Sequence, residues 1–179
     1  MIDRMNLLFT GASGFLGYNV LPLLKKKYSV ETIGLTSQDD YIVNLAAEIP
    51  KLAGKYDVIL HVAGKAHSLP KTEAEKRLFF DVNLQGTKNL CTALEQSGIP
   101  KSFIFISTVA VYGCDSGENI TEEHPLNGTT PYALSKIKAE KYLEGWCAMH
   151  NVKLSILRPS LIAGPNPPGN LGAMIRGIR

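Results

Sequence analysis

Cysteine is scarce in this sequence. Cys91, Cys114 and Cys147 are odd in number and far apart, which argues against a disulfide framework and for a reducing compartment. His61, His67, His124 and His150 stand at no metal-ligand spacing from those cysteines or from one another, so zinc is not expected. Long apolar runs are missing too: none approaches the roughly 20 residues that span a bilayer. Asp3 and Arg4 precede a six-residue apolar run, which is not the form of a secretion signal. A cytoplasmic location is therefore expected. Net charge is only +3, so electrostatics call for neither nucleic acid nor membrane. The local run Lys25-Lys26-Lys27 suits the C-terminal end of a helix. Repeats and low-complexity segments are absent.

What is present is a chain of 179 residues with 45% hydrophobic content, enough for one sizeable core and short for two domains. Its pattern alternates. Met5 to Thr10 reads as a buried strand and residues 15–27 as a helix, interrupted by Pro22. Val30 to Leu35 and the short Tyr41-Ile42-Val43 read as strands, and Leu45 to Leu52 as a short helix weakened by Pro50. Asp57 to Val62 is a near-continuous apolar run, the mark of a strand buried on both faces. Thr72 to Ser97 reads as one long helix with Leu78, Val82, Leu90, Ala93 and Leu94 on its apolar face. Phe103 to Ile106 is a strand, Gly113 to Thr130 a long loop, Pro131 to His150 a helix and Lys153 to Leu157 a last strand. A helix candidate starts at Leu171. Strands alternating with helices predict an α/β fold: a doubly wound parallel sheet covered on both faces, with ligands at the carboxyl ends of its strands.

Gly11-Ala12-Ser13-Gly14-Phe15-Leu16-Gly17 joins the first strand to the first helix. Gly11 is suited to positive φ, Gly14 to close approach of a phosphate, and Gly17 to close packing of helix on strand. The helix start offers free N–H donors and a positive dipole end to an anion. The spacing is GxxGxxG, which fits the usual dinucleotide fingerprint loosely; alone, a glycine-rich hairpin or a helix–strand junction without a ligand would also account for it. Val62-Ala63-Gly64 and Ser107-Thr108 are expected at the same sheet edge.

A second group supplies chemistry. Tyr132 and Lys136 are four apart on a helix and share a face. A lysine near a phenol favours the phenolate, and a phenol so tuned passes a proton to or from a substrate oxygen. Thr108 is placed to hold that oxygen. Alcohol oxidation needs such a base together with a hydride acceptor. Isolated, a Tyr and Lys at this spacing are commonly a solvated surface pair; the strand ending in Ser-Thr and the glycine loop change the weighing.

With these residues in view, the sequence resembles the extended short-chain dehydrogenase/reductases, and within them the NAD-dependent epimerase/dehydratase branch that acts on nucleotide sugars. The likeness rests on Gly11 to Gly17, His61-Val62-Ala63-Gly64, Asn83-Leu84-Gln85-Gly86-Thr87, Ser107 to Gly113, Tyr132-Ala133-Leu134-Ser135-Lys136 and Leu157-Arg158-Pro159. It implies a Rossmann domain over residues 1–163. Gly11, Gly14 and Gly17 would form the pyrophosphate turn, with Phe15 and Leu16 in it. Ala63 and Gly64 would line the cofactor cleft. Tyr132 would be the acid/base, with Lys136 tuning it and binding the nicotinamide ribose. Thr108 stands at the family's catalytic Ser/Thr position, and Ser107 supports the strand end. Pro159 begins the segment passing the nicotinamide, where Ser160 contributes. Asn83 and Gly86 divide between site roles and structural ones: a helix irregularity and close helix packing. His61 reads as strand-end packing, Tyr112 as scaffold, and His67 is unassigned.

Departures from the pattern matter. The acid that usually ends the second strand is missing from Gly34-Leu35-Thr36-Ser37, and Asp39 and Asp40 arrive late. No Arg or Lys lies between Val30 and Pro50 to meet a 2′-phosphate. The reading leans to NAD and leaves NADP open. Asn44, before Leu45, replaces the family's adenine-contacting Asp. Val109 and Ala110 stand where the 4,6-dehydratases carry Asp and Glu, which disfavours water elimination. A nucleotide-sugar 4-epimerase or oxidoreductase is expected, with hydride transfer at a sugar carbon, C4 for an epimerase; a 4-keto-sugar reductase or a non-catalytic dinucleotide-binding sensor or scaffold are the alternatives. The resemblance also implies a homodimer through the helices from Thr72 and Pro131. It implies a smaller C-terminal substrate domain, of which residues 164–179 would be only the truncated start. The chain is thus expected to bind dinucleotide but to hold sugar poorly.

Overall fold

The apolar run before the glycines becomes the centre of a sheet. In this computed structural model, which describes residues 4–66, 68–114, 116–167, 172–174 and 177, β1 (Asn6–Thr10) is buried from Leu7 onward. It is followed by α1 (Phe15–Leu24), β2 (Ser29–Gly34), β3 (Tyr41–Ile42), β4 (Val58–His61), α2 (Glu73–Phe80), α3 (Gly86–Ser97), β5 (Ser102–Ile106), α4 (Pro131–His150) and β6 (Lys153–Leu157). Every strand pairing is parallel, in the order β3-β2-β1-β4-β5-β6. The chain winds one way from β1 and the other way from β4, so a crevice opens between those two strands at their carboxyl ends. Right-handed crossovers put α1 on one face and α3 and α4 on the other. Leu8, Ile33, Ile59, Phe103 and Phe105 of the sheet form one core with Leu90 and Leu94 of α3 and Leu143 and Trp146 of α4.

Three expectations change. Leu45 to Leu52 is not a helix. The N–H groups of Ala47 and Glu48 both donate to Asn44 O (2.9 and 3.0 Å), and the Asn44 side chain closes this single turn by accepting from Ala46 N–H (3.1 Å). Pro50, which has no N–H to give, allows no continuation. The long helix from Thr72 is interrupted: α2 and α3 are separated by a π-helical turn, Asp81–Gln85. Thr72 itself starts α2 with a reciprocal capping box to Glu75. The wide turn changes which face of the earlier segment meets the core. Leu78 is accordingly 46% exposed, and Phe79 is buried in its place. Finally, Val109–Tyr112 forms a short 3₁₀ turn that periodicity did not reveal.

Helix α1 ends at Leu24, three residues early, with Pro22 inside it and Lys25–Lys27 forming the turn that follows. The described residues of 113–130 form a loop, as expected, but one pinned at its end. Gly128 N–H donates to Val111 O (2.9 Å), and Thr130 caps α4 by accepting from Ala133 N–H (3.1 Å). Those bonds return Tyr132 to the neighbourhood of Thr108. His67 and Leu171 lie outside the described residues; 172–174 and 177, within the helix expected from Leu171, are helical.

His61 is a packing residue, as its strand position implied. It is 1% exposed and stacked on Phe105 at 5.6 Å. Thr10 Oγ1 accepts from the N–H groups of Val62 (3.2 Å) and Ala63 (3.1 Å). Its own proton therefore goes to His61 Nδ1 (2.7 Å). His61 Nε2–H then donates to Thr87 Oγ1 (2.9 Å), whose proton goes to Asn83 O (2.7 Å). Counting donors assigns the tautomer, and the relay ties β1 to the π-helical turn through the sheet.

Burial holds the imidazole well below its ordinary 6.5, at about 3, and the Lys136 charge adds to this. The unfolded chain thus takes up a proton at His61 where the folded one does not. This contribution to stability is whole above pH 6.5 and is lost as pH falls toward 3. Between pH 6 and 4, denaturant titrations should show stability falling by about 1.4 kcal/mol per pH unit from this group. His61→Asn should remove that share of the slope; equal slopes in both proteins would contradict the buried neutral imidazole.

Candidate active site

The glycine loop lies at the crevice. Gly11 has φ +82°, and a Cβ there would come within 2.7 Å of Ala63 N, so β1 and β4 can be this close only with glycine. Gly11 N–H donates to Ile33 O (3.2 Å), extending the β1–β2 pairing by one bond. A Cβ on Gly17 would overlap Gly11 O and come within 2.6 Å of Ala12 O, so α1 packs directly onto the loop. Gly14 differs: a Cβ there would meet only Gly11 O at 3.4 Å, an ordinary contact. The protein's own packing does not require this glycine. It heads α1, whose N-terminus has no side-chain cap and no acidic residue in its first turn. The first-turn N–H groups, on Phe15, Leu16 and Gly17, receive no side-chain cap, and free donors at the positive end of a helix dipole suit an anion.

Across the crevice, Ala63 and Gly64 continue β4. A Cβ on Gly64 would be 3.1 Å from both Asn83 Oδ1 and Lys136 Nζ. Asn83 fixes the next residue from both sides: Oδ1 accepts Lys65 N–H (2.8 Å) and Nδ2 donates to Lys65 O (3.0 Å). The same amide donates to Ser135 Oγ (2.9 Å) on α4. Asn83 thus ties the strand-end segment to the helix that carries Tyr132. The helix irregularity expected at this residue is real, and it aims the side chain: an unbroken α-helix would turn it elsewhere. Gly86 lies 3.4 Å, by its missing Cβ, from Leu45 Cβ, which is the close packing expected of it.

Helix α4 presents Tyr132, Lys136 and Glu140 at successive turns of one face. Glu140 is fully buried. It accepts from Arg158 Nη2 (2.8 Å) and Nε (3.3 Å) and from the Ser107 hydroxyl. Arg158 also donates to Tyr112 Oη (3.1 Å) and Glu122 O (2.9 Å). Glu140 holds its guanidinium firmly protonated. Ser107 and Tyr112 therefore support the ends of β5 and β6. Neither Glu140 nor its pairing with Arg158 was anticipated; only the eight-residue spacing from Tyr132 pointed to it.

Lys136 is 4% exposed. Burial lowers its ammonium to about 8, while Glu140 pushes the other way. It donates to Ile106 O (2.8 Å) and sits 4.5 Å over the Phe105 ring. An ammonium has three donors, and a single oxygen partner among the described residues leaves two for ligand hydroxyls. The Tyr132 phenol is half-buried beside Phe79, ring centroids 6.1 Å apart. Burial raises its pKa above the usual 10, and the Thr108 hydroxyl draws it back. The expected lowering by Lys136 is not seen: its ammonium is turned to the Ile106 carbonyl and the Phe105 ring.

Other expected residues fall around this centre. Thr108 is buried and caps the 3₁₀ turn by accepting from Ala110 N–H (3.2 Å). Pro159 O accepts from Val109 N–H (3.2 Å), holding the Arg-Pro segment against that turn. Asn44 is exposed, and Leu45 is buried beneath it. A cleft of about 650 Å³ lies between Val109–Tyr112 and Leu157–Ser160; none of Tyr132, Lys136, Gly11, Gly14 and Gly17 lines it, and so it stands beside the centre rather than over it. The uncapped helix, the unfilled Gly14 and the spare lysine donors fit a dinucleotide, with phosphates at one end and a ribose at the other.

This sheet order, with a glycine loop heading α1 and a Tyr-Lys pair one turn apart on a later helix, defines a dinucleotide-dependent protein of the short-chain dehydrogenase class. The chain belongs to the NAD dependent epimerase/dehydratase family, which it matches over residues 7–179. It is 32% identical over 183 residues to the N-acetyl-alpha-D-glucosaminyl-diphospho-ditrans,octacis-undecaprenol 4-epimerase of Escherichia coli O157:H7, covering 97% of this chain and 54% of that protein. The chain thus spans about half the length of that relative. Among solved structures it resembles the Thermus thermophilus UDP-glucose 4-epimerase complex with NAD, with TM-score 0.77, 26% identity, and 96% of this chain and 61% of that one covered. It also resembles RMD from Pseudomonas aeruginosa complexed with NADPH, with TM-score 0.74, 26% identity, and 92% and 55% covered.

The glycines separate packing from binding. Gly17→Ala should destabilise the fold by about 3 kcal/mol in chemical denaturation. Gly14→Ala should cost about 1 kcal/mol or less while weakening dinucleotide binding measured by calorimetry. Equal effects of both substitutions on stability would show that Gly14 is held by packing after all.

Proposed function

We propose that the chain is the dinucleotide-binding part of a nucleotide-sugar 4-epimerase or a closely related sugar oxidoreductase. The observation that carries this is the meeting of Tyr132, Thr108 and Lys136 at the sheet edge that also holds the uncapped head of α1. Gly11, Gly14 and Gly17, with the N–H groups of Phe15 and Leu16, take the pyrophosphate. Asn44 and Leu45 flank the adenine, and Ala63, Gly64, Ser107 and Pro159 border the cleft. NAD, when bound, accepts a hydride from a sugar carbon and returns it.

The rest is done by side chains. Lys136 donates to ribose hydroxyls and keeps positive charge near the phenol. Tyr132, whose pKa burial raises in the free protein, would be brought toward phenolate by the positive charge that an oxidised nicotinamide would add beside it. It then takes the proton of the sugar 4-hydroxyl, and gives it back when the ketone is reduced. Thr108 holds the same oxygen by hydrogen bond. Val109 and Ala110 bring no acid or base to the strand end, which favours epimerisation or reduction over water elimination. Residues 164–179 begin a sugar-holding region in this reading, and two copies pair through α2 and α4.

The test uses Tyr132→Phe. Calorimetry should show NAD binding retained, while NADH formation and epimerisation with millimolar UDP-hexoses or UDP-N-acetylhexosamines fall by about 100-fold or more. Loss of binding together with turnover would contradict the role given to the phenol. Turnover by Tyr132→Phe equal to that of the unaltered chain would contradict it as well.

A further inference from the structure

Lys136 is buried, yet among the described residues no carboxylate lies within ion-pair distance of its ammonium. A buried charge without such a partner is costly, so other groups must hold it. Two neutral groups meet it: the Ile106 carbonyl (2.8 Å) and the face of Phe105, whose centroid lies 4.5 Å from Nζ. Lys65, Lys88 and Lys138 also stand over rings, those of Phe79, Tyr142 and Phe80, but at 5.3, 5.5 and 5.0 Å, and none of the three is buried. A cation over a ring face is held most strongly where water is excluded, and only Lys136 meets that condition.

The sheet sets up this meeting. Alternation along β5 buries Phe103 and Phe105, in one core with Ala139 and Leu143 of α4. His61 of β4 stacks on the Phe105 ring at 5.6 Å, and its bonds to Thr10 and Thr87 keep it neutral, so it brings no second cation to the ring. The charged groups nearby are engaged elsewhere. Glu140, one turn along α4, gives its oxygens to Arg158 and Ser107. The Lys65 ammonium lies over Phe79. Asp81 of the π-helical turn faces Arg77 at 3.9 Å, and Glu73, Glu75 and Arg77 of α2 are exposed. Tyr132 is a neutral phenol in the free protein.

We propose that Phe105 is a positioning residue for the dinucleotide site: its ring face holds the Lys136 ammonium charged inside the core and aims the remaining N–H donors at the crevice beside Gly64. This rests on the dinucleotide-binding reading above. Gly64 is close enough that a Cβ there would lie 3.1 Å from Nζ. Burial takes the ammonium down to about 8, and the negative face of the ring opposes a further fall. Without the ring the lysine would lose its proton nearer neutral pH, and with it the charge and a donor for ribose hydroxyls.

Fluorination of the ring tests this, because it drains the π face while scarcely changing the size of the side chain. The full chain carrying mono-, di- or trifluorinated phenylalanine in place of Phe105 is titrated by NMR through its lysine side-chain carbons. The Lys136 signal is the one that Lys136→Met removes, and a denaturant titration of each protein checks that the fold is kept. The Lys136 midpoint should fall stepwise with fluorine count, by about 1 pH unit over the series. The high-pH limb of NAD binding, measured by calorimetry, should move down with it. A midpoint that stays put, or a binding limb that stays put while the midpoint falls, overturns the assignment. A falling midpoint in a chain that binds no NAD at any pH would support the ring's hold on Lys136 and overturn the dinucleotide reading.

Discussion

The buried pairing of Glu140 with Arg158 is the contact on which the site's geometry depends. Glu140 is wholly enclosed, and Arg158 joins it from the end of β6 while Ser107 joins it from the end of β5. Removing one partner of a buried ion pair strands the other charge, at a cost of about 3–5 kcal/mol. The strand tips and α4 are thereby held in one register. Lys136 and Tyr132 lie one and two turns away on the same face, so their positions follow from that anchor.

A second anchor works from the other side of the crevice. The relay Thr10–His61–Thr87 runs through the sheet and ends at the backbone of Asn83. The Asn83 amide then fixes Lys65 and reaches Ser135 on α4. Both networks bury polar groups, and both satisfy nearly all of them. Such networks rigidify the edges they join. The glycine loop, by contrast, is shaped by excluded volume at Gly11 and Gly17, and it leaves its donors free. Rigid polar anchors therefore surround an opening whose own hydrogen bonds are unmade.

Much of this was legible beforehand. The six strands, the four-residue spacing of Tyr132 and Lys136, and the convergence of motifs on one sheet edge follow from apolar periodicity and turn residues. Those signals are local, and local signals survive without coordinates. Other features were not legible. The π-helical turn goes with Asn83 finding Lys65 and Ser135, far along the chain, and the helix after Leu45 gives way to a single turn closed by Asn44. Leu78 and Phe79 show the point. They are adjacent and both apolar, and only the wide turn at Asp81–Gln85 decides which one the core receives.

The sequence by itself determined the fold class, the strand order's raw material and the chemical groups available, because these rest on residue type and on spacings within one element. The tertiary structure decided what those groups are free to do. It turned the Lys136 ammonium toward a carbonyl and a ring, raised the Tyr132 phenol by burial, and made His61 a neutral link. Each is a matter of solvation and partner geometry, and none is set until the strands and helices have closed on one another.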